Sequence, residues 1–197
     1  MSHFPVLVLV DDDVARETAE AAVAPLLAPY NENDEWFAEG SRWDWWMIGG
    51  RWTGSISPEP YEPGEDPENF ETCWLCQGTG LRPDWELFEA ESPGWREWSG
   101  GCNGCRGKGW ETVWPTRWKP YDGDVQPVAS LAADFVPMAI VTPDGRWHEQ
   151  ARMGWFGMTT EDEGGNGEKP EALWRATYKA LLEQHPEATA VLVDCHV

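Results

Sequence analysis

Two short segments of the chain share one pattern of cysteine and glycine. Residues 73–80 and 102–109 both read CxxCxGxG. Two residues between the cysteines let both sulfurs reach one metal ion, and the glycines let the backbone turn beneath it. Four thiolates complete a tetrahedral site with no position for water, which is typical of structural zinc. The pattern predicts one structural zinc ion with four ligands: Cys73, Cys76, Cys102 and Cys105.

These octets resemble the CxxCxGxG repeats of the zinc-binding domain in the DnaJ (Hsp40) family. That family carries four repeats and two zinc ions, whereas this chain has two repeats and therefore ligands for one ion. The resemblance implies a local zinc-hairpin fold over residues 73–109. It implies no co-chaperone activity, because the chain has no J-domain with an HPD motif.

The whole chain is also similar to uncharacterised proteins from phages of actinobacteria. The similarity lies in two stretches rich in tryptophan and glycine, residues 43–52 (WDWWMIGGRW) and 144–155 (DGRWHEQARMGW). This resemblance implies a setting, the cytoplasm of an infected host, and no particular chemistry.

A glycine pair inside the first of these stretches is a candidate ligand-binding turn. Gly49 and Gly50 could bring backbone amides close to a ligand. Arg51 would then bind a phosphate or carboxylate, and a neighbouring tryptophan would stack on a base. Alternatively, the segment is a hairpin whose tryptophans are core and whose Arg51 pairs with Asp44. The candidate ligand-binding residues are Asp44, Gly49, Gly50, Arg51 and Trp52.

One other group consists of residue types that are common in catalytic sites. Asp194 and His196 flank Cys195 after the last apolar run, and His148 follows another predicted strand. If those two strands are neighbours, the histidines approach each other near Asp194. That arrangement would suit a metal-assisted hydrolase or a Cys–His nucleophile. The alternative is a solvated histidine beside a core cysteine. The candidate catalytic residues are His148, Asp194 and His196.

The charge of the chain restricts the classes of partner. Thirty-five acidic residues against 14 basic ones give a formal net charge of −21. Such a charge repels nucleic-acid phosphates and attracts basic proteins, although acidity also serves simple solubility. The one candidate nucleic-acid surface is a basic, tryptophan-rich stretch at residues 96–119, and long-range repulsion argues against it. Its basic residues are Arg96, Arg106, Lys108, Arg117 and Lys119.

The cysteine usage and the opening segment favour a cytoplasmic protein. Four of the five cysteines stand in metal-binding spacing and do not suggest a disulfide framework, which fits a reducing compartment. The apolar run at residues 4–10 is too short for a signal peptide or a membrane span. We therefore expect no membrane partner.

Periodicity and breaker residues predict the elements that position these groups. Asp13 can cap the first helix, and Pro25 kinks or ends it. Residues 55–72, acidic and rich in proline, have the composition of a linker without a core. Residues 154–157 can continue a sheet, and residues 161–167 predict a mobile loop. Predicted strands lie at 4–10, within 36–54, and at 110–114, 138–142, 146–148 and 190–193; predicted helices lie at 14–27 and 170–185.

The order β-α-β, then β-β-α-β, predicts an α+β protein. The simplest fold of that order is a ferredoxin-like α/β sandwich with an inserted zinc-binding hairpin module that carries the four ligand cysteines. We expect a discontinuous body at residues 1–57 and 111–197. An acidic linker and the zinc-binding insertion would occupy residues 58–110.

Three functions are compatible with these patterns. The leading hypothesis is a non-enzymatic, phage-type accessory protein that binds a host protein in takeover or anti-defence, with carboxylates standing where nucleic-acid phosphates would bind. Its partner would be basic or itself nucleic-acid-binding. The first alternative is a nucleotide-binding or hydrolysing enzyme that uses Arg51, His148, Asp194 and His196. The second is a zinc-stapled structural subunit of a larger assembly.

Overall fold

The computed structural model describes two compact units. The first, called here the sheet unit, comprises Met1–Tyr61 and Pro120–Val197; the second, the cysteine unit, comprises Glu62–Lys119. The described residues are 2–11, 13–32, 40–59, 61–91, 93, 101–153, 159–160 and 170–197.

Ten strands and three α-helices, together with six short 3-10 helices, make up the regular structure of the described residues. In chain order the strands are β1 (His3–Val10), β2 (Trp45–Ile48), β3 (Phe70–Thr72), β4 (Trp110–Thr112), β5 (Val125–Pro127), β6 (Ala139–Val141), β7 (Trp147–Glu149), β8 (Arg152–Met153), β9 (Thr159–Thr160) and β10 (Thr189–His196). The helices are α1 (Arg16–Leu27), α2 (Trp85–Glu91) and α3 (Glu171–Gln184).

A mixed sheet with the order β2-β10-β1-β6-β7 forms the centre of the sheet unit, and β5 also pairs with β10. β1 and β10 are antiparallel along their whole length, from His3 opposite His196 to Val10 opposite Thr189. β6 runs parallel to β1. Each central strand contains a continuous apolar run, residues 4–10 in β1 and residues 190–193 in β10, as expected of strands that are buried on both faces.

The two long helices pack on opposite faces of this sheet. α1 contributes Val23 and Leu27 to one apolar cluster, whose sheet residues include Val6. α3 contributes Trp174 to the other cluster, whose sheet residues include Leu7. The protein is therefore α+β, as the sequence predicts. The ferredoxin-like arrangement is not found, because in that fold the helices share one face of the sheet.

The first helix begins two residues later than predicted and ends at Leu27, as predicted. Asp13 does not cap it: the helix begins at Arg16, and Ala15 occupies the N-cap position without a side-chain hydrogen bond. Pro25 lies inside the helix, which continues to Leu27. A proline removes only one backbone donor, and burial of Val23 and Leu27 against the sheet keeps the last turn helical.

The predicted linker at residues 55–72 is in fact partly folded. Ile56 is completely buried in the apolar cluster beneath α3, and the segment ends in β3. Asn69 is buried too, and its side chain is satisfied because it donates to the carbonyl of Pro63 and accepts from the amide of Lys119. Hydrogen bonds and one buried isoleucine thus give defined structure to parts of a segment whose composition predicts a linker.

In its described residues, the cysteine unit has a very small apolar core. Its strands β3 and β4 pair antiparallel, and the rings of Phe70 and Trp110 stack with centroids 3.9 Å apart. In the described part of this unit, the one cluster of buried apolar side chains consists of the four CxxC cysteines, with Leu75 packed against it.

Two predicted features fall outside the described residues. They are the continuation of the sheet at residues 154–157 and the loop at residues 161–167. Both therefore stay predictions.

Candidate metal centre

Four sulfur atoms converge in the cysteine unit. The Sγ atoms of Cys73 and Cys102 are 3.9 Å apart, and those of Cys76 and Cys105 are 3.7 Å apart. Four thiolates around a zinc ion at about 2.3 Å would be separated by about 3.8 Å. All four side chains are buried, and all four sulfurs lie within 4.8 Å of one another. The four cysteines can therefore hold one metal ion.

The two CxxC segments close on each other with matching backbone hydrogen bonds. The amide of Cys73 donates to the carbonyl of Gly109 at 2.9 Å, and the amide of Cys102 donates to that of Gly80 at 2.7 Å. Gly80 and Gly109 have φ angles of +72° and +82°, and a Cβ on either would come within 2.5 Å of a carbonyl oxygen of the opposite segment. The repeated glycines are thus required by this close approach.

Backbone amides also favour thiolate at the site. The amide of Gly109 donates to Sγ of Cys105 at 3.1 Å. Burial by itself raises the pKa of Cys76. Hydrogen bonds from the Gly80 amide and the Cys105 side chain outweigh this effect and lower the pKa from 9.0 to about 7. Burial raises the pKa of Cys73 to about 11. A bound cation would displace the remaining protons, because cysteine ligates a metal ion as the thiolate.

The glycine turn at the end of β2 is filled by the protein's own carboxylates. The amide of Arg51 donates to Oδ2 of Asp194 at 3.0 Å. A Cβ at Gly50 would overlap the side chain of Asp194, and one at Gly49 would overlap that of Asp124. The two glycines therefore allow two buried carboxylates to approach the backbone. This close approach explains why glycine occupies both positions, and it needs no external ligand.

The other predicted ligand-binding residues have separate environments. Arg51 is exposed, and Asp44 is hydrogen-bonded to Nδ1 of His196, so the alternative in which Arg51 pairs with Asp44 is not found. Trp52 packs against the apolar cluster beneath α3. Strand register explains why Asp44 meets His196. The backbone of Asp44 lies beside the end of β10, where the Asp44 amide donates to the carbonyl of His196.

The structure brings together only two of the three predicted catalytic residues. Asp194 and His196 share β10, whereas His148 lies on β7, opposite Ile140. The condition that the two strands are neighbours is not met, because β1 lies between β10 and β6. Strand spacing and register place His148 roughly 20 Å from His196.

Cys195 is unsuited to nucleophilic chemistry. Its side chain is completely buried in the apolar cluster beneath α1. Burial and the neighbouring Asp194 raise the pKa of its thiol well above the ordinary value. A buried neutral thiol of this kind is inert. Cys195 is therefore a core cysteine, which is the alternative that the sequence offers to a nucleophile.

His3 is a partner of these residues that the sequence analysis did not identify. Its Nδ1 lies 2.9 Å from Oδ1 of Asp194, and its ring centroid is 4.9 Å from that of His196. Nothing local in the sequence marks His3, because it meets Asp194 and His196 only through the pairing of β1 with β10.

Acidic neighbours neutralise part of the basic stretch. Arg117 pairs with Glu71 at 2.7 Å, and Lys119 pairs with Asp66 at 2.9 Å. Lys108 lies over the ring of Trp110, with Nζ 4.8 Å from the centroid. Arg96 lies outside the described residues.

No family model, curated protein or solved structure matches the chain in the comparisons with known proteins. The resemblances to DnaJ repeats and to phage proteins therefore stay predictions. Within the described ranges, no helix combines the length and the apolar character needed to cross a membrane.

Proposed function

We propose that the cysteine unit binds one zinc ion and that this ion is structural. The observation that carries the proposal is the convergence of four buried sulfurs within 4.8 Å. Soft thiolates in a tetrahedron select zinc or iron among the common protein metals, and zinc is the usual choice for two CxxC segments. Four protein ligands fill a tetrahedral ion and leave no position for a substrate.

The energetics of the cysteine unit support a structural role. With Leu75 as the one apolar side chain packed on the buried cysteines of the described unit, apolar burial contributes little to its folding. Structural zinc in small units supplies about 10–16 kcal/mol of apparent binding free energy at neutral pH. The ion would therefore supply most of the free energy that folds this unit.

Metal analysis of reduced, untagged protein tests the assignment. After dialysis against zinc-free buffer, we expect one tightly bound zinc per chain in the wild type and in Cys195→Ser, which alters the one cysteine outside the cluster. Cys102→Ser should lose the ion or bind it far more weakly. A red protein with iron would overturn the choice of zinc, and an unchanged zinc content in Cys102→Ser would overturn the site.

We infer further that the protein is a non-enzymatic accessory protein whose cysteine unit binds a basic protein partner. Trp74 and Trp114 are 76% and 72% exposed, and Trp74 lies between two metal-ligating cysteines on a loop that the ion would hold rigid. Rigid exposed indoles are typical anchors of interfaces. A net charge of −21 would attract a basic partner. In the setting implied by the phage resemblance, that partner belongs to the host.

The binding proposal is tested by affinity capture from nuclease-treated host lysate with matched variants. The wild type and Leu173→Ser, which removes an exposed leucine from the sheet unit, should retain the same stoichiometric basic protein. Trp74→Ser combined with Trp114→Ser should lose it, and raised salt should weaken the complex. Equal capture by all variants would overturn the role of the indoles.

A further inference from the structure

A second group of metal-ligating side chains lies in the sheet unit. His3 and His196 are register partners at one end of the central strand pair β1–β10. Their ring centroids are 4.9 Å apart, with the ring planes at 70°. Their side chains are 14% and 15% exposed, so both rings are held by protein and still reach the surface.

Each histidine has one ring nitrogen fixed by a carboxylate. Nδ1 of His3 lies 2.9 Å from Oδ1 of Asp194, and Nδ1 of His196 lies 2.6 Å from Oδ1 of Asp44. Within the described part of the chain, the hydrogen bonds of both histidines use Nδ1. A carboxylate at Nδ1 holds the proton there and leaves the Nε2 lone pair as a ligand, which is the usual outer arrangement of metal-binding histidines.

We propose that His3 and His196 bind a divalent transition-metal ion through their Nε2 atoms, with Asp194 and Asp44 as the outer partners that orient the rings. Two imidazoles on one tetrahedral ion, with metal–nitrogen bonds of about 2.0–2.1 Å, have ring centroids roughly 5 Å apart. The observed centroid separation of 4.9 Å agrees with that value.

The charges around the pair favour a cation. Asp44 and Asp194 contact the two rings directly, and Glu32 interacts electrostatically with both Asp44 and His196. Imidazole ligands suit zinc, nickel and copper. With two protein ligands, the remaining positions belong to water or to a small ligand. This site would therefore be open, in contrast to the closed cysteine site.

Calorimetric titration with zinc chloride tests the proposal on untagged protein already loaded with one zinc ion. We expect one further zinc to bind the wild type. His3→Gln and His196→Gln should each abolish this second binding, and Asp44→Asn should weaken it about 10- to 100-fold. His148→Gln and His185→Gln, which alter histidines elsewhere in the sheet unit, should leave it unchanged.

Nitrogen NMR of the wild type provides a readout that needs no variant to fold. Zinc should shift the Nε2 resonances of two histidines and leave those of the other two unchanged, and the circular dichroism of each variant shows whether its fold is intact. Absence of a second zinc and of Nε2 shifts in the wild type would overturn the proposal. Equal loss of binding in His148→Gln would also overturn it.

Discussion

At the scale of single residues, two buried carboxylates organise the turn after β2. Asp194 accepts a hydrogen bond from the amide of Arg51, and Asp124 accepts one from the amide of Gly54 at 2.7 Å. A buried carboxylate is costly unless it is hydrogen-bonded, and the turn supplies the donors. Gly49 makes the approach of Asp124 possible because it has no Cβ.

Gly50→Ala should destabilise the protein strongly. Gly50 has a φ of +56°, and an added Cβ would overlap the side chain of Asp194. A left-handed residue with a side chain costs about 1–2 kcal/mol, and forced overpacking adds about 1–3 kcal/mol. Gly145→Ala is the matched control, because Gly145 has a φ of +79° and open space around it. Urea unfolding should show the larger loss for Gly50→Ala, and equal losses would refute the steric argument.

Asp124 should make stability fall as the pH rises from about 4 to 6. Burial raises its pKa from 3.8 to about 6, against the opposing effects of the Gly54 amide, Arg16 and Thr53. At Asp124 the folded state therefore binds more protons than the unfolded state in this window, so the contribution of this residue to stability decreases as the pH rises. Above pH 6 the accumulated cost reaches about 3 kcal/mol.

Asp124→Asn isolates this contribution. The amide side chain is neutral at every pH, so the stability of the variant relative to the wild type should rise by up to about 3 kcal/mol between pH 4 and pH 7. Urea unfolding of both proteins at several pH values measures the difference, in which other titrating groups cancel. A difference that does not change with pH would contradict a raised pKa for Asp124.

At the scale of elements, each long helix is fixed to the sheet by one buried indole. Trp174 of α3 is almost completely buried and donates its ring N–H to the carbonyl of Pro137 at 2.8 Å. Trp43, which precedes β2, donates its ring N–H to the carbonyl of Leu27 at the end of α1. These bonds satisfy the polar atom of a large apolar side chain inside the core.

Trp174→Ala should cost about 3–5 kcal/mol, because it leaves a cavity and removes the partner of a buried carbonyl. Its neighbour Leu173 is 56% exposed on the same helix. Leu173→Ala should change stability by no more than about 0.5 kcal/mol. Thermal and urea unfolding of the two variants measure this contrast. A loss in Leu173→Ala that matches the loss in Trp174→Ala would contradict the observed orientation of α3.

At the scale of the whole molecule, the two units are stabilised by different forces. The sheet unit buries apolar side chains on both faces of a continuous sheet. In the described residues of the cysteine unit, the buried cluster is made of the four cysteines that could hold a metal ion. The first unit therefore depends on the hydrophobic effect, and the second depends on the proposed ion.

Zinc removal should unfold the cysteine unit and leave the sheet unit folded. After treatment with a strong chelator, hydrogen exchange measured by mass spectrometry should show rapid exchange in peptides from residues 62–119. Peptides that contain β1 and β10 should stay protected, because their hydrogen bonds lie in the apolar core. Cys102→Ser should give the same pattern without chelator. Loss of protection in β1 and β10 would show that the units do not fold independently.

The sequence alone determined those features whose cause is local. The two CxxCxGxG octets predict the four cysteines that converge because each pair lies three residues apart, and the apolar runs of β1 and β10 predict buried strands. Only the tertiary structure decided the order of the strands, the opposite faces of α1 and α3, the burial of Ile56 and the meeting of His3 with His196. These features depend on packing and strand register between segments far apart in the chain. The interaction energy that selects them arises only when those segments meet, so no short stretch of sequence predicts them.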